Sequence, residues 1–132
     1  MLIMKQILLL LFICFIFSCC EKDDCKKVGM VEIEERIIPD TVMNYEHVQI
    51  MIKASATNGC WSDLYVELKE KELFEYSMKA YGTFTCCDVC ACPATMVYKD
   101  TVIDFQPTQK GTYYFNISEL RNKIDVDTMI VK

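Results

Sequence analysis

Cysteine is the residue type in this chain with the most chemistry to offer. The segment Cys86-Cys87-Asp-Val-Cys90-Ala-Cys92-Pro93 concentrates four thiols, and Cys60 and Cys25 stand upstream. Cys87-x-x-Cys90 has the spacing of a redox pair, or of half a zinc site completed by Cys92, Cys86 or Cys60. A redox pair needs a helix N-terminus to lower its thiol pKa, and no strand–helix–strand pattern surrounds this one. A closed zinc site usually joins two Cys-x-x-Cys elements, and the chain has one. A third reading is structural disulfides, and it gains or loses with the compartment. An exported chain with an even number of cysteines reads as a disulfide framework.

The other chemical residue types are sparse. His47 is the sole histidine, which removes most His-based catalytic arrangements. Glu34-Glu35 and Asp125/Asp127 fall where alternation turns them to water, and nothing brings two carboxyls to one pocket for acid–base work. There is no Gly-x-Ser-x-Gly, no phosphate loop and no Asp-x-Asp-x-Asp calcium loop. The expectation is a non-enzyme with no cofactor. A net charge of −5 and a pI near 4.9 argue against nucleic acid, whose phosphates are bound by Lys and Arg.

The compartment is written in the first residues. Lys5 precedes an uncharged, apolar run from Ile7 to Phe17. That run is too short to cross a bilayer, which takes about 20 residues. A cation, an apolar stretch and a small residue before a cut make the signal-peptide pattern. Ile16-Phe17-Ser18-Cys19 resembles the cleavage box of bacterial lipoproteins, in which the cysteine is acylated and becomes the mature N-terminus. The resemblance implies a signal peptide over 1–18 and a lipid on Cys19, with Cys20 as the alternative. The next stretch, Cys20-Glu21-Lys22-Asp23-Asp24, resembles the acidic tether of surface lipoproteins in Bacteroidetes-type bacteria. It implies a tether over 19–27 and an outer-membrane anchor facing the cell surface. Cys14 leaves with the signal peptide and Cys19 goes to lipid. With tether residue Cys20 set aside, Cys25, Cys60, Cys86, Cys87, Cys90 and Cys92 remain as disulfide candidates. Export makes disulfides the favoured reading and leaves metal binding or thiol–disulfide exchange through Cys87, Cys90 and Cys92 as the alternative.

The elements that position these cysteines must come from residues 28–132. Apolar and polar residues alternate over Val31–Glu34, Val48–Ala54, Leu64–Lys69, Tyr113–Ile117 and Ile124–Val131, the period of half-buried strands. Pro39-Asp40, Asn58-Gly59, Pro93, Pro107 and Lys110-Gly111 separate the runs. The stretch Glu67–Lys79 reads as strand, turn near Lys69–Glu72, strand. Short, closely spaced strands without helical alternation predict an all-β, antiparallel domain. Phe105-Gln-Pro107-Thr-Gln-Lys-Gly111-Thr-Tyr113-Tyr-Phe115 then resembles the corner of immunoglobulin-like domains at which a tyrosine tucks back under a turn. The resemblance implies a sandwich of about seven strands, with Trp61 just before the third. In the disulfide reading, the cysteine segment pins a long loop between the fourth strand and the strand at Val97–Phe105. At least one of its cysteines then reaches Cys60 or Cys25.

Asp40-Thr41-Val42, Asp100-Thr101-Val102 and Asp127-Thr128-Met129 resemble the O-glycosylation acceptor of Bacteroidetes, which would make Thr41, Thr101 and Thr128 acceptors. Aromatic residues are numerous enough that some must lie on outer faces, the usual platform for a sugar ring or a protein. Taken together, these features predict a lipid-anchored binding or assembly module for an envelope protein or a glycan. Its contact loops would be Asn58–Asp63 and Thr85–Thr95.

Overall fold

The computed structural model describes residues 25–86 and 90–132. The signal segment 1–18, lipidation candidates Cys19 and Cys20, most of the tether, and Cys87 lie outside the described residues. Eight strands follow one another: β1 Lys26–Ile37, β2 Thr41–Val42, β3 Val48–Ala56, β4 Trp61–Glu72, β5 Glu75–Thr85, β6 Val97–Phe105, β7 Gly111–Ser118 and β8 Ile124–Val131. A single 3-10 turn, Leu120–Asn122, joins β7 to β8. The described residues are all-β, as the alternation predicts. β1 begins before Val28, because Lys26–Val28 find ladder partners in Thr83–Thr85.

Alternation decides which side chains enter the core. Val31 and Ile33 of β1, Ile50, Ile52 and Ala54 of β3, Tyr113, Phe115 and Ile117 of β7, and Met129 and Val131 of β8 are all buried. Their neighbours Glu32, Glu34, Gln49, Tyr114 and Thr128 face out. An aromatic cluster fills one end of this core. Tyr76 packs against Phe105 at 5.1 Å between ring centroids, Phe115 at 5.7 Å and Tyr113 at 6.1 Å.

The sheet is mixed and curled. β1 divides its length between partners: Lys26–Val31 pairs with β5, and Glu32–Ile37 pairs with β3 across a bulge near Glu35. Such a bulge bends a strand and increases its twist, and the single sheet β2–β8–β7–β5–β1–β3–β6, with β4 paired to β5, curls around the core.

Two pairings depart from the antiparallel expectation. β2 runs parallel to β8, and β5 runs parallel to β7. The second departure follows from the composition of the β4–β5 hairpin. The far half of β4, Glu67-Leu-Lys-Glu-Lys-Glu72, is densely charged and suits an edge, where charge blocks unwanted pairing. β5 presents Met78, Ala80 and Gly82 to the interior and takes the inner position that parallel pairing favours. The turn sits at Leu73-Phe74, later than the charges at 69–72 suggest, because that run stays extended against β5. Phe74 adopts a left-handed φ of 66°, and its carbonyl accepts the Tyr114 amide at 2.8 Å to start the parallel ladder.

These registers sort the connections to two ends. The start of β1, the β3–β4 and β5–β6 connections and the 3-10 turn share one end. The Leu73-Phe74 turn, the Pro107–Lys110 turn and the Met43–Glu46 segment share the other.

Candidate functional site at the cysteine-bearing loops

The site is assembled from two connections at the chain-entry end, β3–β4 and β5–β6. Asn58 turns the chain out of β3: its side-chain Oδ1 accepts the Cys60 amide at 3.0 Å, an Asx turn that suits Asn. Gly59 lies flat against Pro93, where a Cβ would sit 3.1 Å from the proline ring. Its amide donates to the Pro93 carbonyl at 2.8 Å. The Cys60 carbonyl accepts the Thr85 amide at 2.9 Å, which fastens the start of β4 to the end of β5.

Two disulfides complete the assembly. Cys60 bonds Cys92 with Cα atoms 5.2 Å apart, and Cys86 bonds Cys90 with Cα atoms 5.7 Å apart. Both separations are ordinary for the bond. One cysteine of the segment therefore reaches Cys60, as the exported-framework reading expects. Cys25, at the head of β1, stands at the same end of the sheet. All four sulfurs, Cys60, Cys86, Cys90 and Cys92, lie within 4.8 Å of one another; of the four, Cys90 is exposed and the others are half-buried.

Trp61 is the footing of these loops. It opens β4 and lies over Gly29 and Gly82, which face each other in the β1–β5 ladder. A Cβ at Gly29 would lie 3.0 Å from Cη2 of the indole, and one at Gly82 would lie 3.1 Å from Cε3. Phe84 packs its other flank at 5.2 Å between centroids. The two glycines cut the slot and the tryptophan fills it.

A second constellation joins the two halves of the fold. The Arg36 guanidinium, on β1, bonds Asp127 through Nε and Asp125 through Nη2, both on β8, with Glu119 at 4.0 Å. Asp125 and Asp127 are half-buried there, not turned to water as alternation alone suggests. The hydrogen bond to Arg36 holds the Asp125 carboxyl below the usual carboxylate range. The bond to Asp127, more than that to Asp125, keeps Arg36 charged against its desolvation. Nearby Lys123 bonds Glu119 at 3.0 Å, and this raises its pKa. No sequence signal singled out Arg36. Its partners lie some 90 positions away and become neighbours only when β1 crosses to the second half of the sheet.

The remaining candidates are dispersed. Thr41 and Thr128 face solvent. Thr101 alternates inward opposite Ile52, and its hydroxyl is buried without a hydrogen-bond partner, so it is not presented for modification. His47 is exposed, and Glu34 and Glu35 sit 3.9 Å and 3.7 Å from Lys53. Tyr65 and Tyr81 stack at 5.5 Å on the outer face of β4–β5. Tyr113 tucks back under the Pro107 turn: its hydroxyl donates to the Gln109 carbonyl at 3.0 Å and accepts the Gln109 amide at 3.3 Å.

In comparisons with known proteins, no family model, curated protein or solved structure matches this chain.

Proposed function

We propose that this chain is a lipid-anchored, non-catalytic envelope protein that acts as a binding or assembly module at the cell surface. The observation that carries the reading is the coincidence of chain entry and disulfides. Lys26 pairs with Thr85, so a polypeptide arriving from Cys19 meets the domain at the end that Cys60–Cys92 and Cys86–Cys90 tie down. A domain held by a short tether experiences pulling at that end, and crosslinks there resist fraying of β1, β4 and β5. The best-formed carboxylate pair, Asp125 and Asp127, is taken up by Arg36, which supports a structural use of these groups over acid–base work.

The contact surface we favour is the opposite end. Met43, Tyr45 and Leu73 are each about 60% exposed there, whereas Asn58–Asp63 and the described residues of Thr85–Thr95 lie beside the chain entry. In fold terms we read the domain as a variant of the immunoglobulin-like sandwich. The Tyr113 corner, the division of β1 between two partners and the parallel β2–β8 pair support that reading. The parallel β5–β7 pair is its variation.

The test is metabolic labelling with a clickable fatty acid, followed by protease treatment of intact cells. The expected outcome is label on the wild-type chain, its loss on Cys19→Ser, its retention on Cys20→Ser, and digestion of the domain from outside. No lipid on any of the three chains would sink the anchor. Protection from external protease would move the module to the inner face.

A further inference from the structure

We infer that Cys60, Cys86, Cys90 and Cys92 form, in their reduced state, a four-thiolate site for a thiophilic divalent cation, Zn2+, and that disulfide formation closes this site. The inference concerns the cysteine loops alone and stands whether or not the chain carries a lipid.

The geometry is that of a ligand set. Four sulfurs from two separate connections, Cys60 before β4 and Cys86, Cys90 and Cys92 between β5 and β6, lie within 4.8 Å of one another. Tetrahedral zinc with Zn–S near 2.3 Å spaces its sulfurs at about 3.8 Å, so rotations about the cysteine side chains suffice to turn one arrangement into the other. Two adjacent disulfides require only that each pair meet, and they do not require all four sulfurs to converge. Cys87, which the Cys-x-x-Cys spacing also offers as a ligand, lies outside the described residues.

The backbone that carries two of the four ligands is held by contacts that contain no sulfur. The Gly59 amide on the Pro93 carbonyl, the Thr85 amide on the Cys60 carbonyl and the Asn58 side chain on the Cys60 amide all survive reduction. Cys60 and Cys92 are thus presented to each other by their loops. Cys90 is exposed and the other three are half-buried, which admits a small reductant and an ion. Four thiolates and one Zn2+ carry a net charge of −2, and Lys26 and Lys27 pair with Thr85 and Phe84 at this end of the sheet. Thiolates select zinc over the hard cations magnesium and calcium.

The chemistry balances with a dithiol as reductant. Two dithiol molecules deliver four electrons and four protons to the two disulfides and leave as their own disulfides. Binding of Zn2+ by the four thiols then releases the four protons. Oxidation by a disulfide or a peroxide reverses the sequence and expels the ion.

The experiment uses the full chain in detergent, reduced with a dithiol, freed of reductant under anaerobic conditions and titrated with Co2+ and then Zn2+. The expected result is one ion per chain, with the charge-transfer and visible bands of tetrahedral cobalt thiolate. Bound Zn2+ should protect Cys60, Cys86, Cys90 and Cys92 from alkylation. Cys86→Ser/Cys90→Ser should weaken binding by about a hundredfold or more, because two ligands are lost, while Cys87→Ser leaves it within about threefold. Absence of binding overturns the proposal, as does a Cys87→Ser loss equal to that of the double variant. A reduced chain that loses its β circular-dichroism signal and does not regain it with Zn2+ also overturns it.

Discussion

Arg36 faces Asp125 and Asp127 with 18% of its side chain exposed, and that burial sets what each group can contribute. A guanidinium in this position loses part of its hydration and regains it as charge-assisted hydrogen bonds to two carboxylates. Arg36→Met keeps the packing of the stem and leaves both carboxylates without their donor. We expect Tm to fall by about 4–8 °C, the shift that a loss of about 1 kcal/mol produces in a domain of this size. The Asp125 carboxyl is held below its ordinary value in the folded chain, so its stabilisation is present above the unfolded pKa, near 4, and is lost as pH falls through the lower folded value. The gap in Tm between wild type and Arg36→Met should therefore be full at neutral pH and narrow below about pH 4. Thermal melts across that range check it, and a gap independent of pH would assign the cost of the substitution to packing.

At the scale of elements, strand content and facing were legible in the sequence, and partners were not. Period-two alternation identifies the inward residues of β1, β3 and β7 because each of these strands has one wet face. In β8 it fails for Asp125 and Asp127, which share the inner face with Met129 and Val131 while Ile124 and Val126 are exposed. The strand Val97–Phe105 and the tyrosine at the Pro107 turn were legible for local reasons, namely turn residues and side-chain spacing. The parallel β5–β7 pair was not, since alternation is the same in parallel and antiparallel ladders. The candidate site was legible in half: the cysteines announce themselves, but their convergence depends on which loops share an end. Gly29 and Gly82 carry a further signal, because a glycine inside a strand marks a close approach, here that of Trp61. Gly82→Val places methyl groups where a Cβ already meets Trp61 at 3.1 Å and Val31 at 3.3 Å. A cost of about 1–3 kcal/mol is expected from overpacking. In a denaturant double-mutant cycle, Trp61→Leu should recover part of that loss. Strict additivity would mean that the indole does not constrain the glycine.

For the molecule as a whole, the consequence of the topology is an orientation. From Cys19 to Lys26 the chain has seven steps, which at full extension reach about 24 Å. β5, with 11 residues, spans about 36 Å, so under the lipid anchor proposed above one end of the domain stays near the membrane and the other end cannot approach it without folding the domain over. The near end carries Thr57 and the disulfides, and the far end carries Lys110, Tyr45 and Leu73. A fluorophore on an unnatural residue can be set at Thr57 or at Lys110, both exposed, with the lipidated chain reconstituted in vesicles that contain a quencher-bearing lipid. Quenching should be strong at Thr57 and weak at Lys110, and it should fall together at both positions when a long flexible linker is inserted after Asp24. Equal quenching at the two positions without the linker would mean that the domain lies along the bilayer. The far-end residues Met43, Tyr45 and Leu73 would then face lipid as readily as a partner, and the exposed Tyr65–Tyr81 stack on β4–β5 would become the better-placed surface for recognition.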